Sequence, residues 1–319
     1  MGGDGSPPTG PKDGRADPPE SLQAKEAASE MEYRKAISTF DLKKMKAERE
    51  KIAMVTAYDY PSALLAERAG ADVILVGDSL GMVVLGYDST IPVTMDDMVH
   101  HTKAVARAAK RCFVIADMPF LSYHGSIDRT LENAARLMQE GGAKAVKMEG
   151  GREIAESVRA CVRAGIPVMG HIGLTPQAVH QLGGFKLQGR QPEQARKLID
   201  DALALEEAGV FGIVLEMVPE ELAGLITERL QVPTIGIGAG RLCDGQGLVY
   251  HDLLQYASPL KPKFVKAYAN VSEPIVEGIS AYVREVKSGA FPGEDNVYHM
   301  DGAALEEVAG LYGSGARGE

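Results

Sequence analysis

The sequence predicts an α/β fold, a closed (β/α)8 TIM barrel with an N-terminal helix and an additional C-terminal helix. Three observations carry this. Eight short apolar runs, each too short for a globular helix, recur between Ile52 and Tyr250. Most are separated by segments that read as helices, and such crossovers imply parallel strands with helices outside. Polar residues recur where the runs end, at Asp78, Asp117, Glu149, His171 and Glu216. Eight units in about 250 residues suit a closed barrel better than an open doubly wound sheet, the structural alternative.

The elements follow in order. Ser38-Thr39 caps a first helix running to about Glu48, with Phe40, Leu42 and Met45 as its apolar positions. Ile52 to Ala57 is the first strand. Asp59 caps the next helix, and Pro61 fits its first turn, where a missing N–H costs little. The second strand is the run from Asp72 to Val76, which breaks into Gly77-Asp78-Ser79 and a loop from Leu80 to Pro92. Thr94 caps a helix to Lys110, with Asp97 in its first turn.

Cys112 to Ala116 and Ala143 to Met148 are the third and fourth strands, separated by a helix from Ser126 to about Gln139. A helix to Arg163 leads to the fifth strand, Pro167 to Gly170. Thr175-Pro176 reads as a cap and first-turn proline opening a short helix. A helix from Pro192 to Ala208 precedes the sixth strand, Val210 to Leu215. Pro219 opens a helix to Leu230, and Val232 to Ile237 is the seventh strand. The eighth lies near Gly247 to Tyr250. A last long helix spans about Ser272 to Lys287, and a short one fits Ala303 to Leu311.

These elements give a catalytic domain over residues 34–292 and a C-terminal extension over 293–319. Residues 1–33, rich in Gly, Pro and charge without periodicity, read as a disordered N-terminal extension with no signal-peptide core.

The formal charge of -10 argues against a general nucleic-acid surface but leaves room for a local basic pocket. Cys112, Cys161 and Cys243 are far apart, lack zinc or redox spacing and fit a reducing compartment, the cytoplasm. No apolar run of 18 residues exists, so no membrane span is expected. The first strand is followed by no dinucleotide fingerprint; Gly236, Gly238 and Gly240 lie in a late strand and better serve packing and turns than phosphate binding.

In a barrel the carboxyl ends of the strands converge, so residues far apart in sequence share one pocket. Asp78 and Asp117 are the foremost metal candidates: hard carboxylate oxygens suit magnesium, which retains waters and leaves room for substrate oxygens. Glu149 would bind directly or through a water. Taken singly, each carboxylate is also explained as a helix cap or an acceptor of loop N–H bonds; Asp59 and Asp88 fit that plainer role better. Lys147 precedes Glu149 by two residues, so both face the barrel mouth. It would pair with a substrate carboxylate or developing enolate charge, or simply with neighbouring acids. Ser79 offers a donor to a carboxylate, or is a loop residue. Glu216 is placed to act as a general base, or to pair with Lys147. His171 would move a proton or orient a reacting group, and Tyr58, Tyr123 and His124 stand near the mouth.

From about Ile37 to Pro292 the chain resembles the ketopantoate hydroxymethyltransferases. The likeness rests on Val55 to Asp59, Val76 to Gly86, Ala116 to Phe120, Val146 to Gly150, Gly170 to Gln177 and Gly236 to Gly240, taken in order. It departs at Leu254-Gln255, where the family commonly has leucine followed by glycine. The resemblance implies transfer of a hydroxymethyl group from 5,10-methylenetetrahydrofolate to 3-methyl-2-oxobutanoate, giving 2-dehydropantoate and tetrahydrofolate on the way to pantothenate and coenzyme A. It implies Mg2+ on Asp78 and Asp117, with Glu149 as third carboxylate; substrate contacts from Asp78, Ser79, Asp117 and Lys147; and Glu216 as base beside His171. It also implies a homo-oligomer, commonly a decamer in bacteria, with neither nucleic acid nor membrane as partner. The alternatives are a magnesium-dependent 2-oxoacid lyase or aldolase, which would need no folate, and a non-catalytic barrel, in which the strand-end acids would be scattered or mutually neutralised.

Overall fold

A computed structural model of the chain describes residues 35–257 and 262–312. The expected N-terminal disorder falls on residues outside this range. Eight parallel strands close into a barrel in sequence order: β1 Ile52–Thr56, β2 Val73–Val76, β3 Phe113–Asp117, β4 Ala145–Glu149, β5 Val168–Gly173, β6 Gly212–Glu216, β7 Thr234–Ile237 and β8 Gly245–Leu248. β1 pairs with both β2 and β8, which closes the ring. The open doubly wound sheet is thereby excluded.

Two helices flank the first strand, α1 Thr39–Glu48 and α2 Tyr60–Arg68. They begin as the sequence leads one to expect. Ser38 Oγ accepts the Asp41 N–H, and Asp59 Oδ1 accepts the Ser62 N–H. Asp59 is thus a capping residue. Beyond β2 lie α3 Leu80–Val83 and α4 Met95–Ala108, the latter capped by Thr94. The turn of helix in α3 falls inside a stretch expected to be loop. It forms because Ser79 already has right-handed backbone angles and Leu80 is buried, so the apolar side chain draws the turn onto the barrel.

The remaining helices are α5 Ile127–Gln139, α6 Ala155–Arg163, α7 Val179–Leu182, α8 Pro192–Ala208, α9 Glu220–Arg229, α10 Tyr250–Leu254, α11 Ser272–Ser288 and α12 Gly302–Tyr312. Thr175 does not cap as expected. Its side chain makes no capping bond, and a single 3-10 turn, Pro176–Ala178, precedes α7. α10 ends at Gln255 in the left-handed conformation, φ 49°. This is where the resembled family commonly carries glycine, the residue for which that conformation is unstrained.

The strands divide their side chains between two cores. Val73 and Leu75, Phe113 and Ile115, Ala145, Met169 and Val214 belong to one cluster that fills the barrel. Ile74, Val76, Val114, Val146 and Ile213 belong to the other, beneath the helices. α1 contributes Leu42 and Met45 to the barrel cluster, and so plugs one end of it. Lys46, on the same helix, is 2.7 Å from Asp244 Oδ2, just before β8.

This alternation places the candidate site residues. Two residues beyond Ile115 is Asp117; two and four beyond Ala145 are Lys147 and Glu149; two beyond Met169 is His171; two beyond Val214 is Glu216. A period of two continues the inward face of each strand to its carboxyl end. Register then sets neighbours side by side: Asp117 opposite Lys147, and Glu149 opposite His171.

α11 stands apart from this scheme. It buries none of its residues, and Val276, Ile279 and Tyr282 are more than half exposed. No helix among the described residues is long and apolar enough to cross a membrane.

Candidate active site

The strand ends bring the sequence-predicted residues into one buried cluster. Asp78, Asp117, Lys147, Glu149 and His171 are each at most 5 % exposed, although all carry polar or charged side chains. Burial on this scale is tolerated only with partners. Asp117 Oδ2 accepts the backbone N–H of Asp78 at 3.0 Å, while Oδ1 lies 3.0 Å from Lys147 Nζ. Lys147 Nζ is also 3.1 Å from His171 Nδ1 and 3.9 Å from Glu149 Oε1. His171 Nδ1 is 3.2 Å from Glu149 Oε1, and its Nε2 is 3.2 Å from Glu216 Oε2. An unbroken chain of contacts therefore runs from Asp78 to Glu216.

Charge in the cluster is uneven. Burial, Asp117 and Glu149 together raise the pKa of Asp78 well above the ordinary carboxylate range. Burial also raises that of Asp117, against the opposing pull of Lys147. For Glu149 burial is outweighed by His171 and Lys147, and its pKa falls. Burial works against charge on Lys147, but Asp117, Glu149 and Asp78 overcome it and hold the ammonium protonated. His171 is likewise opposed by burial and by Lys147, yet Glu149 and Glu216 lift it to about 9.

Ser79 sits at the edge of this cluster, its Oγ 2.8 Å from the buried Tyr58 hydroxyl. Gly173 closes β5 at φ +94°, and a Cβ there would lie 2.2 Å from the Glu216 carbonyl oxygen. Only glycine lets β5 end this close to the end of β6.

Sequence reasoning did not single out Gln177. Its Nε2 donates to Asp78 Oδ2 at 2.7 Å and to Met118 O at 2.9 Å, while its backbone N–H donates to Glu149 Oε2 at 3.0 Å. Its Oε1 is 2.9 Å from the Tyr123 hydroxyl. Tyr123 and His124 lie with ring centroids 4.3 Å apart.

A cleft of 740 Å³ adjoins the cluster, lined by Phe120, Leu121, His124, Glu149, Gln177 and His180 among others. That is within the range of roughly 300–1,000 Å³ typical of small-molecule sites. A second cavity, of 510 Å³, lies along α6 and α8 and contains none of the strand-end residues.

The donors suit one hydrated divalent cation. Asp117 Oδ1 is buried without an aligned hydrogen bond. Four carboxylates face one lysine and one imidazole, and the raised pKa values of Asp78 and Asp117 show that their negative charge is under-compensated. Among the described residues no three His, Cys, Asp or Glu side chains are grouped to hold a metal by themselves. The oxygens of Asp78 and Asp117 match the preference of Mg2+ for one or two carboxylates plus waters. Glu149 is engaged by His171 and the Gln177 N–H, which favours contact through a water.

The sequence profile of the ketopantoate hydroxymethyltransferases matches residues 36–294. The chain belongs to the ketopantoate hydroxymethyltransferase family. Its relatives include the 3-methyl-2-oxobutanoate hydroxymethyltransferase of Carboxydothermus hydrogenoformans, 60% identical over 272 residues, 85% of this chain and 99% of the relative. The enzyme of the same name from Thermoanaerobacter sp. (strain X514) is 58% identical over 265 residues, 83% and 97% of the two chains. Among solved structures, phosphonopyruvate hydrolase in complex with oxalate and Mg++ aligns with TM-score 0.53 at 14% identity, covering 86% of this chain and 98% of that one. 2,3-Dimethylmalate lyase, described as a PEP mutase/isocitrate lyase superfamily member, aligns with TM-score 0.51 at 17% identity, covering 86% and 95%. At such identities the likeness extends to the fold alone. The family assignment covers the strand ends described above, from Asp78 to Glu216.

Proposed function

We propose that this chain transfers a hydroxymethyl group from 5,10-methylenetetrahydrofolate to 3-methyl-2-oxobutanoate, giving 2-dehydropantoate and tetrahydrofolate. The observation that carries the proposal is the chain of contacts from Asp78 to Glu216, within a chain so similar to enzymes of that name.

Asp78 and Asp117 would hold Mg2+, with Glu149 reaching it through a water. When bound, the ion polarises the keto oxygen of the substrate and makes its neighbouring C–H more acidic. Lys147 supplies a fixed positive charge for the substrate's carboxylate or for charge developing on its oxygen. Ser79 adds a hydroxyl donor held by Tyr58. Glu216 takes the proton from C3. The electron pair left behind forms the new bond to the methylene carbon of the folate donor. The two bonds from that carbon to the folate nitrogens break, water supplies the hydroxyl, and the nitrogens take up two protons, one from that water and one from Glu216. His171, its Nε2 3.2 Å from Glu216 Oε2, stands beside the base.

The 740 Å³ cleft beside Glu149 favours transfer over the folate-free lyase, since a second substrate of this size needs room next to the first. Exposed Phe120 and Leu121 give that cleft an apolar wall suited to a flat ring system.

A two-substrate product assay tests the proposal. With Mg2+ and both substrates the purified protein is expected to form 2-dehydropantoate and tetrahydrofolate in equal amounts. Cleavage of another 2-oxoacid without folate, together with no product from this pair, would favour the lyase instead.

A further inference from the structure

We infer that Gln177, its amide fixed by Tyr123, is a positioning residue that aims Asp78 and Glu149 at the cation site. The inference rests on the reading that Asp78 and Asp117 hold the ion.

The amide has one possible orientation. Its Nε2 faces two acceptors, the Asp78 carboxylate at 2.7 Å and the Met118 carbonyl at 2.9 Å. Reversing the amide would set oxygen against oxygen at both contacts. On the other side the Tyr123 hydroxyl meets Oε1 at 2.9 Å and accepts the Glu149 N–H at 3.0 Å. That hydroxyl also lies 3.0 Å from the Glu149 carbonyl, so its single proton is shared between two acceptors.

The result is a closed circuit. The Glu149 N–H bonds Tyr123, Tyr123 faces the Gln177 amide, the amide holds Asp78, and the Gln177 backbone N–H returns to the Glu149 carboxylate. One residue thus fixes a carboxylate following β2 and another at the end of β4, and ties both to the loop after β3 through Met118. Gln177 is itself only 5 % exposed, and it lines the cleft together with Glu149. Residues that orient metal-binding side chains in this way carry much of a site's affinity, and their loss typically weakens binding by about 10–100-fold.

The test measures cation binding directly, with Mn2+ titrated into the full-length protein and free Mn2+ read by electron paramagnetic resonance. Gln177→Leu keeps the bulk of the side chain and removes both ends of the amide bridge; its Kd for Mn2+ is expected to rise about 10–100-fold. Tyr123→Phe removes only the hydroxyl and is expected to raise the Kd by a smaller factor in the same direction. Should Gln177→Leu fail to fold by circular dichroism, Tyr123→Phe decides the matter alone. A role in loop packing alone would lower the melting temperature of folded variants while leaving the Kd unchanged, and that result would overturn the inference. So would a wild-type protein that binds no Mn2+. Wild-type protein that binds Mn2+ through Asp78 and Asp117 but makes no product from the folate pair would refute the proposed function and leave this inference standing. Normal transfer with variant affinities equal to wild type would do the reverse.

Discussion

Glu216→Gln is expected to lower the rate of C3 proton exchange on 3-methyl-2-oxobutanoate by about 10²–10⁴-fold, the usual contribution of a positioned general base. The substitution keeps shape and removes only the ability to take a proton. Glu216 is the last residue of β6, with its side chain partly exposed and its Oε2 3.2 Å from His171 Nε2. The amide can still occupy that position, so the fold and Mn2+ binding should persist. Exchange is followed by NMR in D2O with Mg2+ and without folate. This isolates proton removal from carbon–carbon bond formation. Equal loss of exchange and of overall transfer is the expected pattern. A folded variant that exchanges the proton at the wild-type rate would remove Glu216 from the base role and turn attention to His171.

Lys147→Met should have the largest effect on stability. The lysine lies 3.0 Å from Asp117 and 3.9 Å from Glu149, and is 3 % exposed. Methionine fills much of the same volume but leaves buried carboxylates without their cation, a change that costs about 3–5 kcal/mol. The pH dependence has a definite sign. Lys147 acts to lower the pKa values of Asp78, Asp117 and Glu149, so the stability it confers through them is present while they are ionised and is lost as pH falls and they protonate. The deficit of the metal-free variant, read from urea denaturation, is therefore expected to narrow on acidification, as Asp78, Asp117 and Glu149 protonate. Equal urea midpoints for variant and wild type at neutral pH would contradict the pairing described for the cluster.

Much of the site was legible before any coordinates, for a simple reason. A strand has a period of two and a barrel has one mouth, so an inward apolar residue such as Ile115 or Met169 points to the position of the residue two places on, Asp117 or His171. Caps were legible where the pairing is local, as between Ser38 and Asp41 or Thr94 and Asp97. Gln177 was not. It is uncharged, and its bond to Asp78 spans 99 positions, so nothing near it in the chain announces the partner. α3 was hidden for a related reason: a single helical turn is held by the burial of Leu80, which only the folded barrel supplies. Thr175 misled because its sequence context fits a cap while its side chain makes no capping bond.

Asp78 and Asp117, 39 residues apart and joined through the Asp78 N–H, would together hold one divalent ion against the oxoacid. Crystals grown with Mn2+ and 3-methyl-2-oxobutanoate, measured at the manganese edge, locate that ion by its anomalous signal. The expected peak is bound by a carboxylate oxygen from each aspartate and by two oxygens of the oxoacid, with Glu149 at the distance of an intervening water. A manganese peak elsewhere, with the oxoacid bound and the two aspartates still tied only to Gln177 and Lys147, would contradict it.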